Sequence, residues 1–343
     1  MRAVVITRAG EPEVLQVQER PEPQVAPGEV RIAVKAAGIN FADLLARTGM
    51  YPDAPRLPTV VGYEVAGDVE TVGEGVEGVS VGDRVMAGSK FGGYAELVSV
   101  NADDLLPLPE FFSYEQGAAV PVNYATAYAG IVMMGGLRER DRLLIQAAGG
   151  GVGIAATQVA KARGAEIFGT ASAAKHDAIR AQGVEHAIDY RNQDFEAEVM
   201  RITGGEGIDI AFDAIGPSSF RKDYRLLRAG GRLICFGMSE VQTGEKRNIV
   251  GVVRGLAGMM SATMPWWKSM AIMNENKGVF GLNMLAWWER EGSLSRAIEP
   301  LRADLESGDL EPVVAESFPF DRAADAHRFI HERRNIGKVV LTP

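Results

Sequence analysis

The stretch Leu143–Gly164, LLIQAAGGGVGIAATQVAKARG, constrains the fold more than any other part of the chain. Its apolar start, Leu143 to Ile145, meets a glycine cluster and then a helix-period pattern. That order predicts a buried strand, a tight turn and a helix. Ala148, Gly150 and Gly153 fill the three positions of an A-x-G-x-x-G variant of the dinucleotide fingerprint: tight turn, close backbone approach, close helix-to-sheet packing. Backbone N–H groups at the start of the helix, aided by its dipole, would face an anion. Taken alone, the loop also fits a glycine-rich turn with no ligand. The strand and helix alternation that follows favours a dinucleotide, with Ala148, Gly150, Gly151, Val152 and Gly153 as candidate cofactor-binding residues.

Before this loop the chain reads as short β segments punctuated by Gly and Pro, the pattern of a compact β barrel. The strands expected are Ala3–Ile6, Glu29–Lys35, Val65–Val72, Asp83–Ala87 and Tyr94–Val100. Ile39–Leu45 reads instead as a short helix with Asn40 at its mouth, and Ser113–Gln116 has the spacing of a capping box, placing a small helix over Gly117–Val120. From Tyr124 the period changes. Helices are expected at 123–135, 151–163, 175–182, 194–203 and 218–228, alternating with strands at 142–146, 166–170, 186–189, 208–213 and 231–236. Strands joined by single helices imply a parallel, doubly wound sheet. One long helix is expected near 286–309 and another over Ala323–Arg334. The last strand, Lys338–Leu341, is expected to return to the amino-terminal domain, because the nucleotide sheet is already complete.

Composition removes several classes of function. With 343 residues, 46% hydrophobic and 24% charged, the chain has the size for two domains and the make-up of a globular protein. A formal net charge of −9 argues against a nucleic-acid surface. A single cysteine, Cys235, rules out an internal disulfide framework and a multi-cysteine zinc site. Because it lies in an apolar β run, where burial raises a thiol's pKa, it is a poor candidate nucleophile. The start, MRAVVITRAG, lacks a secretory pattern, and the apolar stretch Ile249–Met273 is broken by Arg254, Pro265 and Lys268. No membrane span and a cytoplasmic location are expected.

Several segments together resemble a known family: Asn40-Phe41-Ala42-Asp43, Val81-Gly82-Asp83-Arg84-Val85, the AAGGGVG loop and the closing Gly337-Lys338-Val339-Val340. The chain resembles the medium-chain dehydrogenase/reductase superfamily, and within it the zinc-free quinone oxidoreductases. NFADLLARTGMY (40–51), VNYATAY (122–128), GTASAAKH (169–176) and Lys246-Arg247-Asn248 are similar to its vesicle amine transport protein branch. The likeness implies an α/β protein: a GroES-like β-barrel catalytic domain (1–122 and 283–343) and a Rossmann domain with a doubly wound parallel sheet (123–282). It further implies NADPH in a cleft between them, a quinone or related carbonyl substrate, and a homodimer built through edge strands of the nucleotide sheets.

Zinc-dependent members of that superfamily carry Cys where this chain has Asn40, and Gly-His-Glu at Gly62-Tyr63-Glu64; neither Asn nor Tyr replaces a thiolate and an imidazole as zinc ligands. No metal is expected. His327 and His331, four apart on a helix, have the spacing to share one, but a solvated helix face is the expectation. Cofactor choice is read at Gly169–Lys175, where no carboxylate meets the ribose and where Ser172 and Lys175 suit a 2′-phosphate, with Tyr190 nearby. Ser172 also suits a helix N-cap, and Lys175 a solvated surface. By resemblance the nicotinamide end involves Thr126, Gly216, Phe236, Gly237, Met238, Phe280, Leu282 and Asn335, each of which equally suits packing. Asn40 and Tyr51 are the candidate catalytic donors to a developing phenolate, with Tyr63 filling the space of the metal-ligand histidine. Proton delivery from solvent and from Tyr51 both remain open, as does reduction of α,β-unsaturated carbonyls. A weakly catalytic binding protein is the third reading, in which Trp266-Trp267, Trp287-Trp288, Met259, Met260 and Met264 form an apolar surface for packing, substrate or a membrane.

Overall fold

The computed structural model describes residues 1–240 and 269–343. The chain divides into two compact units, one built from Met1–Ala125 and Trp288–Pro343, the other from the chain between them. In the first, β1 (Arg2–Ile6) and β2 (Leu15–Glu19) form an antiparallel pair. The long β3 (Glu29–Ile39) then pairs antiparallel with β4 (Glu64–Val72), which is followed by β5 (Arg84–Gly88), β6 (Leu97–Asn101) and β7 (Leu105–Pro107). Alternation along β3 sends Val30, Ile32 and Val34 inward, where they join Val65, Val69, Val85 and Val98 in one core.

The second unit is a parallel sheet of β8 (Arg142–Ile145), β9 (Glu166–Ala171), β10 (His186–Asp189), β11 (Ile208–Asp213), β12 (Leu227–Cys235) and β13 (Gly278–Gly281). The spatial order is β10-β9-β8-β11-β12-β13, which reverses direction at β8 and opens a crevice beyond the carboxyl ends of β8 and β11. The strands are buried on both faces, so they read as continuous apolar runs rather than as alternation. The final strands, β14 (Val314–Pro319) and β15 (Lys338–Thr342), return to the first unit, where β15 lies antiparallel to β3 and parallel to β14. The chain's last strand therefore sits where the sequence placed it.

Four local readings need correction. The helix expected near 286–309 is broken into Met284–Glu291, Ser295–Ile298, the 3-10 turn Glu299–Leu301 and Arg302–Ser307. Gly292 there has φ +83°, and Leu294 N donates to Asp104 Oδ1 at 2.8 Å, so the chain is pinned out of the helix before Pro300. The capping box of Ser113 and Gln116 is formed, but the helix it starts is Tyr114–Gly117, directly behind the cap, and not 117–120. The helix expected over 323–334 ends at His331. Strands β2, β7, β13 and β14, too short or too polar to stand out, were missed by periodicity.

Among the tryptophans, Trp288 is buried at 2% exposure and its Nε1 donates to Asp104, so it belongs to the core and not to an apolar surface. Trp266-Trp267, Met259, Met260, Met264 and Lys246-Arg247-Asn248 lie outside the described residues. Among those described, no helix is long and apolar enough to cross a membrane.

Candidate functional site

In the parallel unit the loop after β8 has the geometry that an anion requires. Ala147 takes a left-handed φ of +56°, Gly150 stands at the N-cap, and the helix Gly151–Lys161 follows with its first N–H groups free of side-chain caps. A Cβ on Gly153 would lie 2.5 Å from Ala147 O, so only glycine allows the helix to pack this closely. A Cβ on Gly150 would meet nothing nearer than Ala147 O at 3.4 Å, which leaves the loop open there for a phosphate. Ala148 is fully buried behind it and its N donates to Thr170 O at 3.0 Å.

Beyond β9, Ser172 precedes the turn Ala173–Lys175 without a side-chain capping bond. The stem of Lys175 lies across the glycine loop, its Cδ 3.1 Å from the place a Cβ would take on Gly149. Strand β9 thus brings a lysine stem onto the glycine loop. Tyr190 follows β10, 38% exposed, with the Arg191 guanidinium over its ring. Gly216 begins the helix Pro217–Leu226 with φ +130°. After β12, Phe236 stacks on Phe212 with centroids 3.9 Å apart, and Gly237 packs against Ala214 too closely for a side chain. Met238 follows at intermediate exposure. Phe280 is exposed on the edge strand β13, whereas Leu282 and Thr126 are buried. Asn335 belongs to the other unit, where its Nδ2 donates to Gly337 O at 3.0 Å, as do Asn40 and Tyr51. Cys235 is half-buried in β12, and burial with the nearby Asp213 and Asp223 pushes its thiol far up, away from the reactive range.

Sequence reading missed a polar network beneath this loop. Gln146 Nε2 donates to Asp223 Oδ1 at 2.8 Å, Thr170 Oγ1 to Gln146 Oε1 at 2.7 Å, and Ala147 N to Thr170 Oγ1 at 3.2 Å. Asp213 accepts from Ile215 N and, at 2.5 Å, from Ser219 Oγ. The signal available was a carboxylate, Asp223, on the apolar face that Phe220, Tyr224 and Leu227 define at helical spacing.

In the first unit Asn40 does stand at the mouth of the helix Phe41–Arg47, in a capping box with Asp43, but its side chain also has partners beyond that helix. Asp43 Oδ2 accepts from Asn40 N at 2.7 Å, and Asp43 Oδ1 from Gly62 N at 3.1 Å. The Asn40 amide is held between opposite charges: Lys338 Nζ donates to its Oδ1 at 2.7 Å and its Nδ2 donates to Glu64 Oε1 at 3.0 Å. Lys338 also pairs directly with Glu64, whose Oε2 accepts from Val122 N at 2.8 Å. Both charges are buried. A Cβ on Gly38 would fall 2.7 Å from Lys338 Cε and 2.8 Å from Glu64 Cγ, so the glycine in β3 makes the pair possible. This donor set does not fit zinc. Where a thiolate would bind the ion, Asn40 Oδ1 already accepts from an ammonium, and Tyr63, at the histidine's place, packs as an aromatic edge-on to Tyr51 with centroids 6.3 Å apart. Among the described residues no group of three His, Cys, Asp or Glu is placed to hold a metal.

Burial pushes the Tyr51 phenol up to about 12, with Asp53 and Asp43 adding to the shift, while burial raises the Asp43 carboxyl to about 7 against its backbone hydrogen bonds. The helix face bearing His327 and His331 is not solvated, as had been expected. His327 is fully buried with neither ring nitrogen hydrogen-bonded, and His331 Nε2 meets Arg47 Nη2 at 2.6 Å. Burial and then the Arg47 charge lower both imidazoles, His331 to about 4.

Known proteins resemble this chain in sequence and fold. Residues 26–110 match the family model of the alcohol dehydrogenase GroES-like domain, and residues 182–341 that of the zinc-binding dehydrogenases. The synaptic vesicle membrane protein VAT-1 homolog of Rattus norvegicus is 38% identical over all of this chain and 84% of its own length. The quinone oxidoreductase of Escherichia coli, solved in complex with NADPH, superposes with a TM-score of 0.84 at 30% identity over the whole of both chains. The CurK enoyl reductase superposes with a TM-score of 0.85 at 25% identity, covering 99% of this chain and 98% of its own.

Proposed function

Since the chain belongs to the medium-chain dehydrogenase/reductase superfamily, in its VAT-1 branch, we propose that it reduces a quinone with NADPH and without a catalytic zinc ion. As a member of that superfamily it is an oxidoreductase. The observation that carries the cofactor choice is the Lys175 stem laid across the glycine loop, in a segment, Gly169–Lys175, that contains no carboxylate to repel a 2′-phosphate. Ala148–Gly153 would hold the pyrophosphate, with Ser172, Lys175 and Tyr190 at the 2′-phosphate, and Gly216 and Phe236–Met238 toward the nicotinamide. When bound, NADPH supplies a hydride to an electron-poor acceptor.

The protein's own part is to orient and to donate hydrogen bonds. The second amide hydrogen of Asn40, with the first committed to Glu64, is the donor assigned to the acceptor's developing oxyanion. Tyr51, with its phenol held up to about 12, keeps its proton across neutral pH and acts as a hydrogen-bond donor. The likeness to an enoyl reductase supports a second reading, in which the acceptor is an α,β-unsaturated carbonyl.

The test is oxidation of NADPH and of NADH by the purified, metal-free protein with an ortho-quinone, a para-quinone and an enone. Quinone-dependent turnover preferring NADPH is expected; turnover with the enone alone moves the acceptor to the second reading. Binding without turnover on any acceptor would make the chain a nucleotide-binding module. Lys175→Ala is expected to weaken NADPH about ten- to a hundredfold, the equivalent of about 1–3 kcal/mol, and to leave NADH unchanged. Equal loss for both nucleotides would remove the 2′-phosphate assignment.

A further inference from the structure

Two acids are buried together under the nucleotide face. Asp213, at the end of β11, and Asp223, in the helix Pro217–Leu226, are both fully buried and within hydrogen-bonding reach of each other. Asp213 receives hydrogen bonds at both oxygens, from Ile215 N and Ser219 Oγ. Asp223 receives one, from Gln146 at Oδ1, and its Oδ2 finds no donor at all. A buried carboxyl oxygen without a donor, on a group that interacts with a second buried carboxyl, lacks one thing, a proton of its own. The nearby basic groups are committed elsewhere: Arg225 to Glu196 at 2.6 Å and Lys222 to Asp194 at 2.8 Å. The titratable groups that do face the pair are Glu196 across the helix packing and Cys235 on β12, and neither supplies a positive charge.

We propose that Asp213 and Asp223 share a single proton, carried on Asp223 Oδ2, and that this protonated pair positions the turns that bind the dinucleotide. The connection is continuous. From Asp223 it runs through Gln146 and Thr170 to the backbone N–H of Ala147, the left-handed residue that sets the glycine loop. From Asp213 it runs through Ile215 N and Ser219 Oγ, which also lies 2.9 Å from Gly216 O, to the turn after β11. Loss of the proton to hydroxide leaves two carboxylates in contact in a dry interior, and they must separate. Separation pulls Gln146 and the Asp213–Gly216 turn apart, so nucleotide affinity falls with rising pH. Burial raises both carboxyls, as this account requires.

The inference rests on the dinucleotide reading of the unit, and its test separates the two. NADPH affinity is measured by fluorescence from about pH 6 to about pH 10 for the wild type, Asp223→Asn and Asp223→Ala. The infrared spectrum of the protein without nucleotide is recorded over the same range. Asp223→Asn can still accept from Gln146 and can donate to Asp213 from its amide, with no proton to lose. The wild type is expected to lose about tenfold in affinity on the alkaline side, and Asp223→Asn to hold a flat profile. Asp223→Ala is expected to bind weakly throughout. Asp43, raised to about 7, contributes a carboxyl stretch to both proteins, so the signature is read in the difference between wild type and Asp223→Asn: a protonated-carboxyl stretch present at neutral pH and lost in step with affinity, which a purely structural role would not give. Nucleotide bound with the same pH profile by wild type and Asp223→Asn, or no carboxyl band in that difference at neutral pH, overturns the inference and leaves the cofactor reading standing. No nucleotide bound at any pH overturns both.

Discussion

Each unit buries a pair of ionisable side chains next to its candidate site, and the two pairs are neutralised in opposite ways. In the barrel unit Glu64 and Lys338 cancel each other and hold the Asn40 amide between them. In the parallel unit Asp213 and Asp223 carry the same charge and need a proton between them. The first arrangement is intolerant of losing a partner, since either charge left alone in the interior keeps its full desolvation cost. The second loses less when one member goes, because Asp213 keeps the donors of its own turn, and it is sensitive to the solution outside.

The largest effect that would break this comparison is expected at Lys338. Lys338→Ala leaves Glu64 buried and unpaired, and should cost about 3–5 kcal/mol in urea unfolding. The double substitution Glu64→Gln with Lys338→Met should recover much of that loss, because no lone charge remains. If the single substitution cost no more than a surface change, the pair would not be the buried contact described.

A smaller loss, about 1–3 kcal/mol, is expected for Asp223→Ala in the same assay, from the Gln146 amide left without its acceptor. Equal costs at Lys338 and Asp223 would erase the distinction between the two kinds of pairing.

The smallest effect concerns acid. His331 has a folded pKa lowered to about 4, so the unfolded chain binds its proton first. Stability is therefore lost as pH falls from about 6.5 toward about 4, and is intact above that window. Half-exposure of His331 keeps the loss modest. Asp43, raised to about 7, titrates in the opposite sense in both proteins, so the comparison of thermal midpoints between wild type and His331→Gln isolates the imidazole. His331→Gln is expected to flatten the acid limb; an unchanged limb would remove Arg47 and His331 as its source.

Legibility in the sequence followed the distance over which a feature is encoded. The glycine loop, the strand before it and the helix after it lie within 22 consecutive residues, Leu143–Gly164, and their pattern was readable. So was the return of Lys338–Leu341 to the first unit, although the nucleotide sheet takes one strand more, β13, than the sequence showed. The break at Gly292 was missed because its partner, Asp104, is 190 residues from the Leu294 N–H that it holds. The clamp on Asn40 was missed for the same reason. A helix N-cap is a local inference, and the side chain's further partners come from β4 and β15. His327 shows the converse failure. A histidine pair at helical spacing was read as solvated, yet Ala323, Ala326 and His327 are all buried and form the inward face of that helix.

The return of β15 has a consequence for the order in which the molecule can be made. Lys338 and Asn40 are separated by 298 positions, and the parallel sheet is encoded between them. At about 5–20 residues per second a ribosome needs roughly 15 to 60 s to travel from one to the other. During that time the sheet of the first unit has β3, β4 and β6 but not the strand that pairs with the Ala37–Ile39 end of β3, and Glu64 lacks the counter-charge of Lys338. The nucleotide unit has all its described strands before Lys338 exists, so it can be the first part to complete. The amino-terminal half, although synthesised first, must wait for the carboxyl-terminal strand.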